Sequence, residues 1–416
     1  MNAMPLNVRI RLSVMMFLQY MLFAAWFVQL AGYLDNIGVK GTMKALILSS
    51  MPLGCLISPI FCMIADRHFA SQKVLMILNF ACAGLLFLAA LQCNPVALFV
   101  ILLLAMLCYM PTWSLTSAVA MSNAPSEKFP QIRVFGSIGW VAASVFSLIA
   151  VKFFNGAKID GTAIPLYCGA GTALVAGLLN LTLPNTPPPS KGKPASIVDV
   201  LGLRALGLLK SPNFAFFMLV SILAMIPFTM YFSYGSQFFK SQGYETITAR
   251  MSLGQVSEML IMLLVPIALT RYGAKWAITA GLGALVVRYV AFLAGGMLGQ
   301  EWLYYIAILV HGAIFGLLIV GGQVYVDKKA PPEIKAQAQG LVGLLLFGVG
   351  MFIGTFASER LISMYTAETM IDNVMTEVTN WNTVWLIMTA LSAVLMAAFW
   401  FLFRDDVLKK AEAAQA

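Results

Sequence analysis

The 416-residue chain is 60% hydrophobic and only 10% charged, and it carries a formal net charge of +9. Soluble proteins carry about 25% charged residues, so this composition excludes a soluble domain. It also excludes nucleic-acid binding as the reason for the positive charge, because such proteins present a clustered basic face on a soluble domain.

Twelve apolar stretches follow one another along the chain. A helix needs about 20 apolar residues to cross the hydrocarbon core of a bilayer. The stretches lack the two-residue alternation of membrane barrels, so the sequence predicts an all-α membrane protein. The twelve predicted transmembrane helices are 8–33, 42–65, 73–92, 97–122, 132–154, 163–183, 212–235, 248–270, 274–295, 302–326, 336–358 and 382–404.

Lysine and arginine are distributed unevenly between the two alternating sets of loops. The richer set includes Lys191, Arg271 and Lys328, whereas the poorer set includes Lys40 and Arg360. Cytoplasmic loops carry the excess of these residues, so we predict that both termini are cytoplasmic. The first apolar run is too long for a cleaved signal peptide, and we expect it to be retained as the first helix in the plasma (inner) membrane.

A polar stretch at 184–210 interrupts the apolar pattern near the middle of the chain. Its prolines and lysines disfavour a buried helix and suit a cytoplasmic connector. Six predicted helices precede it and six follow. We therefore predict an N-terminal six-helix bundle at 1–190, a linker at 191–210 and a C-terminal six-helix bundle at 211–416.

Short basic turns follow the second helix of each predicted half. Asp66 and Arg67 stand in the first turn, and Arg271-Tyr272-Gly273 forms the second. Two similar halves are typical of transporters that expose one binding site alternately to the two sides of the membrane. We expect Asp66 and Arg67 to close a cytoplasmic gate by charge pairing, not to bind the substrate.

Polar and aromatic side chains recur at helical spacing in the first half. Arg133, Ser137 and Trp140 lie at i, i+4 and i+7, which places them on one helical face. A guanidinium, a hydroxyl and an indole suit a heterocycle bearing a sugar. The alternative is that Arg133 reaches lipid phosphates while Trp140 only packs. On the first helix, Gln19 fits a cavity or a packed interface equally well, whereas we expect Trp26 to pack.

One carboxylate, Glu258, lies near the middle of the apolar run 251–270, and it is the acid that we place at mid-membrane depth. An ionised group there costs roughly 2.5 to 3.5 kcal/mol, and burial favours its protonated form. Glu258 is therefore the predicted proton-coupling residue, and Gln255 shares its helical face. The alternative is a structural ion pair between Glu258 and Arg288. His311 is a further candidate proton site, although a neutral, hydrogen-bonded histidine is the more common arrangement.

Several functional classes are excluded by missing motifs. No nucleophile elbow, Walker loop, dinucleotide fingerprint or zinc motif appears, so we predict neither an enzyme nor an ATP-driven pump. Six cysteines without metal spacing and two histidines give no metal site, and no cofactor is expected. A non-transporting membrane sensor is less favoured, because we would expect it to carry a soluble signalling domain.

Short strings spread in order over nearly the whole chain carry a family resemblance. They are Phe17–Gln19 with Trp26, Tyr109–Thr112, Phe129–Trp140, Gln255–Glu258, Arg271–Gly273, Tyr325–Lys329, Ala338–Gly340 and Thr383–Trp385. With the six-plus-six plan and the turn at Asp66 and Arg67, they resemble the nucleoside:H⁺ symporter family of the major facilitator superfamily. That superfamily places a glycine four residues before the aspartate, where this chain has Cys62.

The resemblance implies a pair of pseudo-symmetric six-helix bundles and a proton-coupled importer of nucleosides that acts by alternating access. We separately expect a monomer. Alternative functions are a uniporter or a proton-coupled carrier of another small polar solute, such as a sugar. The substrate-contact positions that the resemblance carries over are Gln19, Arg133, Ser137, Trp140, Thr229, Phe232, Gln255, Glu258 and Phe315.

Two helices depart from the family pattern. In the tenth helix the family presents an aspartate after an aromatic residue, whereas this chain has Phe315 followed by Gly316. In the seventh helix the family presents amide side chains, and this chain places Thr229 and Phe232 there. Loss of the aspartate bears on proton stoichiometry and ribose recognition, and fewer polar groups predict a narrower or altered choice of substrate.

Overall fold

The computed structural model describes residues 4–125, 128–153, 158–188, 198, 203–371 and 374–406. The chain forms two compact units. The first unit comprises Met1–Leu201 and Ser233–Ser252, and the second comprises Gly202–Phe232 and Leu253–Ala416. Most of the predicted linker 191–210 lies outside the described residues, and its last part forms a short 3₁₀ helix, Leu203–Lys210.

The first unit is built on six transmembrane helices, three of which have an internal break. We label them α1 (Leu6–Phe27 and Leu30–Asn36), α2 (Gly41–Leu48 and Ser50–His68), α3 (Ser71–Ala90), α4 (Pro95–Asn123), α5 (Phe129–Ala142 and Val145–Phe153) and α6 (Ile164–Asn180).

The remaining helices supply the second unit and the segment Ser233–Ser252. They are α7 (Pro212–Ser241), α8 (Ile247–Met262 and Val265–Arg271), α9 (Gly273–Leu298), α10 (Trp302–Leu309, His311–Ala313, a π-helical stretch Ile314–Val320, and Gly321–Lys329), α11 (Lys335–Gly343, a π-helical stretch Leu344–Gly350, and Met351–Met364) and α12 (Trp381–Leu402).

These helices coincide with the twelve predicted segments. Among the described residues, ten helices are long and apolar enough to cross a membrane, and the two parts of α8, bent by 46° at their break, make an eleventh if counted as one span. The remaining predicted segment is α6, whose 17 residues make it a shorter apolar helix. Hydropathy therefore located these helices, because most of the apolar runs are close to the length that a bilayer requires.

An antiparallel hairpin between α11 and α12 adds strands to a chain that we predicted to be helical. β1 (Thr366–Ile371) pairs with β2 (Val374–Thr379), and Thr366 lies opposite Thr379. Threonine, valine and isoleucine favour strands because their branched side chains fit a pleated surface. The hairpin lies outside the apolar runs, which explains why a search for hydrophobic periodicity does not detect it.

Close helix contacts in the first unit depend on small residues. In α5, a Cβ added to Gly139 would lie 2.0 Å from the backbone oxygen of Phe17 in α1, so no side chain fits there. A buried apolar cluster on one side of this contact includes Leu12 and Met16 of α1 together with Ile132 of α5. Small residues allow such backbone approach within membranes, and here they fix α5 against α1.

Polar contacts hold the segment Ser233–Ser252 in the first unit. The buried ammonium of Lys44 lies 2.8 Å from Oε1 of Gln237. The carboxylate of Asp160, in the connection between α5 and α6, accepts a hydrogen bond of 3.1 Å from the backbone N–H of Thr248 in the first turn of α8. A carboxylate at this position satisfies a free helix N–H and interacts favourably with the helix dipole.

The second unit packs α9 against both α10 and α12. A Cβ added to Gly281 of α9 would lie 2.5 Å from the backbone nitrogen of Leu318 in α10, so these helices also meet at a glycine. At the start of α9, the basic turn after α8 ends at Gly273, whose φ of +81° is a left-handed conformation that favours glycine. The contact brings the central parts of α9 and α10 together.

Candidate functional site

The second unit brings α8 and α10 into backbone contact at two glycines. A Cβ on Gly312 would lie 2.5 Å from the carbonyl of Ser257, and a Cβ on Gly254 would lie 3.1 Å from the Cβ of His311. The N–H of Gly312 donates to Oγ of Ser257 at 3.1 Å. This close approach fixes the position of His311 relative to the face of α8 that carries the predicted carboxylate.

His311 lies beside both predicted polar residues of α8. Its Nε2 is 3.4 Å from Nε2 of Gln255 and 3.8 Å from Oε2 of Glu258. The histidine is buried and the side chain of Glu258 is 14% exposed. The predicted pair Gln255 and Glu258 is thus joined by a third polar group, and the three form a compact polar cluster within apolar helices.

Arg288 of α9 contacts the other side of the same imidazole. Its side chain is fully buried, Nε donates to the carbonyl of Ala307 at 3.0 Å, and Nη2 lies 3.0 Å from Nδ1 of His311. The guanidinium carbon also lies 4.1 Å from the centre of the Tyr231 ring, which is a cation–π contact. We considered Arg288 as the ion-pair partner of Glu258, and these contacts instead place His311 between the arginine and the carboxylate.

The contact with Arg288 defines the protonation of His311. A guanidinium has only donors, so Nδ1 of His311 must be the acceptor and the ring proton lies on Nε2. An imidazolium here would hold two like charges side by side, and such charges at 4 Å repel by about 4 kcal/mol at an effective dielectric constant of about 20. His311 is therefore neutral, and its N–H points towards Gln255 and Glu258.

Aromatic side chains surround this polar cluster. The His311 ring lies 6.0 Å from the ring of Phe228 and 6.4 Å from that of Phe315. Phe232 stacks on Phe228 at 5.6 Å. Phe315 and Phe232, both predicted contact residues, are partly exposed. Such rings offer faces on which a nucleobase can stack.

Two other predicted positions of the second unit lie away from this cluster. Thr229 is fully buried, and a Cβ on Gly354 of α11 would lie 2.7 Å from its Oγ1, so this hydroxyl faces α11. Gly316 follows Phe315, and a Cβ there would lie 3.0 Å from Val265 and 3.3 Å from Ile261. The position where the family has an aspartate thus packs against apolar side chains.

The first unit places the predicted face of α5 towards its own interior. Arg133 and Ser137 are partly exposed and Trp140 is buried, whereas residues on the opposite face, such as Val134 and Ile138, are exposed as expected for contact with lipid. This burial pattern is consistent with the predicted helical face, and the contact of these residues with a substrate stays a prediction.

Arg133 lies over an aromatic stack that the sequence analysis missed. Its guanidinium carbon is 4.3 Å from the centre of the Tyr20 ring, and Tyr20 stacks on Trp113 at 6.0 Å. Trp140 contacts Phe23 edge to face at 5.7 Å. Tyr20 follows Gln19 in the sequence but lies on a different face of α1, so spacing from Gln19 and Trp26 could not have identified it.

Gln19 is a buried link between three helices. Its Nε2 donates to Oγ1 of Thr112 at 2.6 Å, its Oε1 accepts from Nδ2 of Asn79 at 3.1 Å, and its carbonyl accepts from the hydroxyl of Tyr109 at 2.7 Å. Both ends of the amide are engaged inside the unit. Trp26 is also buried, with edge contacts to neighbouring rings, which confirms its predicted packing role.

The predicted gate residues lie in the last turn of α2. Nη1 of Arg67 lies 3.5 Å from the carbonyl of Met63, one turn earlier in the same helix. The side chain of Asp66 lies outside the described residues. The charge pairing that we predict for this gate stays a prediction.

The fold and the ionisable groups buried within apolar helices define the class of the protein as a multi-pass secondary transporter, because such groups inside spans mark substrate and ion pathways. Solved transporters support this class. The crystal structure of nucleoside transporter NupG matches with a TM-score of 0.84 at 27% identity, over 96% of this chain and 100% of that chain. A peptide transporter of the POT family matches with a TM-score of 0.66 at 14% identity, over 94% and 96%, which shows the shared major facilitator fold alone.

Sequence comparisons identify the family within this class. The model described as nucleoside H⁺ symporter matches residues 6–407. YegT of Escherichia coli (strain K12) is 34% identical over 404 residues, covering 95% of this chain and 94% of that protein. The xanthosine permease of the same organism is 28% identical over 418 residues, covering 96% of each. The chain belongs to the nucleoside H⁺ symporter family.

Proposed function

We propose that this protein imports nucleosides through the inner membrane together with protons. The observation that carries the proposal is the cluster in the second unit, where Glu258 and Gln255 adjoin a neutral His311 within apolar helices. Ionisable carboxyl groups inside transmembrane segments commonly serve as proton-carrying groups in transporters. The family match over residues 6–407 supports the nucleoside as substrate.

We assign nucleoside contacts to side chains within each unit, considered separately. From the first unit, Arg133 and Ser137 supply donors and Trp140 an aromatic edge. From the second unit, Gln255 and Glu258 bond polar atoms of the base or ribose, while Phe232 and Phe315 offer ring faces. Gln19 has both amide atoms engaged, so we give it the role of supporting the helices that carry the first set.

We assign a separate role to Thr229, which faces α11. A hydroxyl in that position contributes to the packing of α7 against α11 and does not contact the substrate. Together with the apolar surroundings of Gly316, this gives the second unit fewer polar contact groups than the family pattern provides. We therefore expect a narrower range of accepted nucleosides.

Proton coupling is assigned to Glu258. Of the described acidic residues inside the spans, it lies closest to the middle of its helix, whereas Glu359, which is buried, lies near the end of α11. Uptake of a proton neutralises Glu258. The free-energy cost of enclosing this side chain between apolar helices is then lower when the transporter changes conformation. We further propose that both termini are cytoplasmic, that Asp66 and Arg67 close the cytoplasmic gate, and that the protein acts as a monomer.

The test is uptake into proteoliposomes of purified protein. Radiolabelled uridine, adenosine and xanthosine are compared with free bases and with xylose, each with and without an inward proton gradient. We expect nucleosides to accumulate above the external concentration only with the gradient, and an uncoupler to abolish this accumulation. Equilibration without accumulation would indicate a uniporter, and accumulation of xylose without nucleosides would refute the substrate assignment.

A further inference from the structure

The two ring nitrogens of His311 face different partners. This difference determines which nitrogen carries the ring proton and which neighbour can accept it. Nδ1 faces Nη2 of Arg288 at 3.0 Å. Nε2 faces Gln255 at 3.4 Å and Glu258 at 3.8 Å. Because the guanidinium occupies Nδ1 as a donor, the single ring proton is fixed on Nε2.

The position of this proton also orients the amide of Gln255. An N–H on His311 Nε2 cannot bond the NH₂ group of an amide, so Gln255 must present its Oε1 to the histidine. The assignment of amide oxygen and nitrogen follows from the hydrogen-bond network and not from the heavy-atom positions. This orientation leaves the NH₂ group of Gln255 as a donor for another acceptor.

One N–H therefore has two neighbouring acceptors, Gln255 at 3.4 Å and, after a small side-chain movement, Glu258 at 3.8 Å, and the charge of Glu258 decides between them. A carboxylate is the stronger acceptor, since hydrogen bonds to ionised groups are shorter and roughly twice as strong as neutral ones. A protonated Glu258 loses this advantage, and its own O–H becomes a donor that the protonated Nε2 cannot accept. The His311 N–H then bonds the amide oxygen of Gln255.

We propose that His311 is a positioning residue that couples the protonation of Glu258 to the orientation of Gln255. The inference rests on the proposed function, in which Glu258 carries the proton and Gln255 contacts the nucleoside. When Glu258 takes up a proton, the His311 N–H moves to Oε1 of Gln255 and holds its NH₂ group as a donor to the substrate. When Glu258 releases the proton, the N–H returns to the carboxylate and Gln255 is released. His311 itself neither gains nor loses a proton in this cycle.

The groups packed around His311 support a fixed neutral ring. Among the described residues, the charged and titratable groups that face it are Arg288 of α9, Glu258 of α8 and the phenol of Tyr231 of α7, whose ring lies 5.9 Å away. The cation lies on the Nδ1 side and the carboxylate on the Nε2 side. This arrangement disfavours a second proton on Nδ1 and favours the one on Nε2.

The direct test uses the small number of histidines in the chain, which are His68 and His311. The variant His68→Gln leaves His311 as the single histidine. With ¹⁵N-labelled histidine, the nitrogen chemical shifts distinguish the two neutral tautomers from the imidazolium. We expect the neutral Nε2–H tautomer between pH 5 and 8 (a range chosen to bracket about 6.5, the ordinary pKa of histidine). An imidazolium or an Nδ1–H tautomer in this range would overturn the proposal.

Transport measurements provide the second test. His311→Gln keeps an acceptor for Arg288 and a donor for Glu258 but cannot titrate, so we expect gradient-driven accumulation with an unchanged pH profile. His311→Leu lacks the donor. We expect the midpoint of its pH profile to rise by about one unit, because the carboxylate loses a stabilising bond, and its KM for nucleoside to rise about tenfold. The double variant His311→Leu with Arg288→Met serves if the single variant does not fold.

The outcomes separate this inference from the proposed function. If the wild type does not accumulate nucleosides, the proposed function is wrong. The tautomer measurement still determines the protonation of His311 in that case. If His311→Gln folds but loses accumulation, His311 carries the proton and the inference is wrong. If His311→Leu shows the pH profile and the KM of the wild type, the inference is also wrong.

Discussion

The two units hold the arginines of their apolar helices in different ways. Arg133 of the first unit is partly exposed and lies over the ring of Tyr20, and its planar group can pair with a ligand. Arg288 of the second unit is fully buried, its Nε donates to the carbonyl of Ala307, and its Nη2 donates to His311. Within the proposed function, Arg133 contacts the substrate, whereas Arg288 fixes the neighbouring side chain of His311. Sequence position inside an apolar helix does not distinguish these roles.

Substitution of Arg288 should have the largest effect on stability. Arg288→Met removes a hydrogen bond to a carbonyl and leaves Nδ1 of the buried His311 without its donor. We expect the free energy of unfolding to fall by about 3 kcal/mol, since hydrogen bonds to charged groups contribute about 1.5 to 3 kcal/mol each. Thermal unfolding in detergent measures this. Arg133→Met is the matched control, and an equal loss in both variants would refute the distinction between the two arginines.

Substitution of Arg133 should instead weaken binding. We expect Arg133→Ala, and equally Gln255→Ala, to weaken nucleoside binding by roughly 1 to 3 kcal/mol, the usual cost of leaving a polar partner unsatisfied. Isothermal titration of nucleosides into purified protein gives the value, and thermal unfolding should change little for Arg133→Ala. Full-strength binding by both folded variants would remove these residues from the site.

Asp160 offers a smaller test outside the membrane-spanning segments. Burial raises the pKa of Asp160, and hydrogen bonds from Ser147 and Thr248 oppose this shift. Asp160→Ala removes a helix cap and should lower the free energy of unfolding by about 1 kcal/mol. Asp160→Asn keeps an acceptor and is the matched control.

The sign of the pH effect at Asp160 follows from the raised pKa. The folded chain binds this proton more tightly than the unfolded chain, so the contribution to stability is complete below the ordinary pKa of 3.8. It is lost as the pH rises through the raised value of the folded protein. Wild type should therefore lose stability relative to Asp160→Asn as the pH increases. A difference between the two that does not vary with pH would contradict this account.

The sequence predicted the spans and the helical faces because both depend on local patterns. Apolar runs of membrane length located α1–α12, and the spacing of Arg133, Ser137 and Trp140 identified the inward face of α5. Gln255 and Glu258 share a face of α8 for the same reason. Hydropathy and helical periodicity are properties of one helix, so both can be predicted without knowing which helices pack against it.

The contacts between helices could not be predicted in the same way. Arg288 was available in the sequence, but its pairing with His311 depends on how α9 meets α10 at Gly281. The stack of Arg133 on Tyr20 depends on a glycine contact between α5 and α1. The attachment of Ser233–Ser252 to the first unit involves single polar bonds, such as Asp160 to Thr248. None of these leaves a periodic signal in the chain.

The central claim is that Glu258 couples proton movement to nucleoside import, and gradient-driven uptake by Glu258→Gln tests it most directly. The amide mimics the protonated carboxyl, so we expect loss of accumulation with retained exchange of nucleoside, because exchange needs no net proton movement. Glu359→Gln, which neutralises a buried carboxyl near the end of α11, is the matched control and should still accumulate nucleoside. Proton-dependent accumulation by Glu258→Gln equal to that of wild type would contradict the claim.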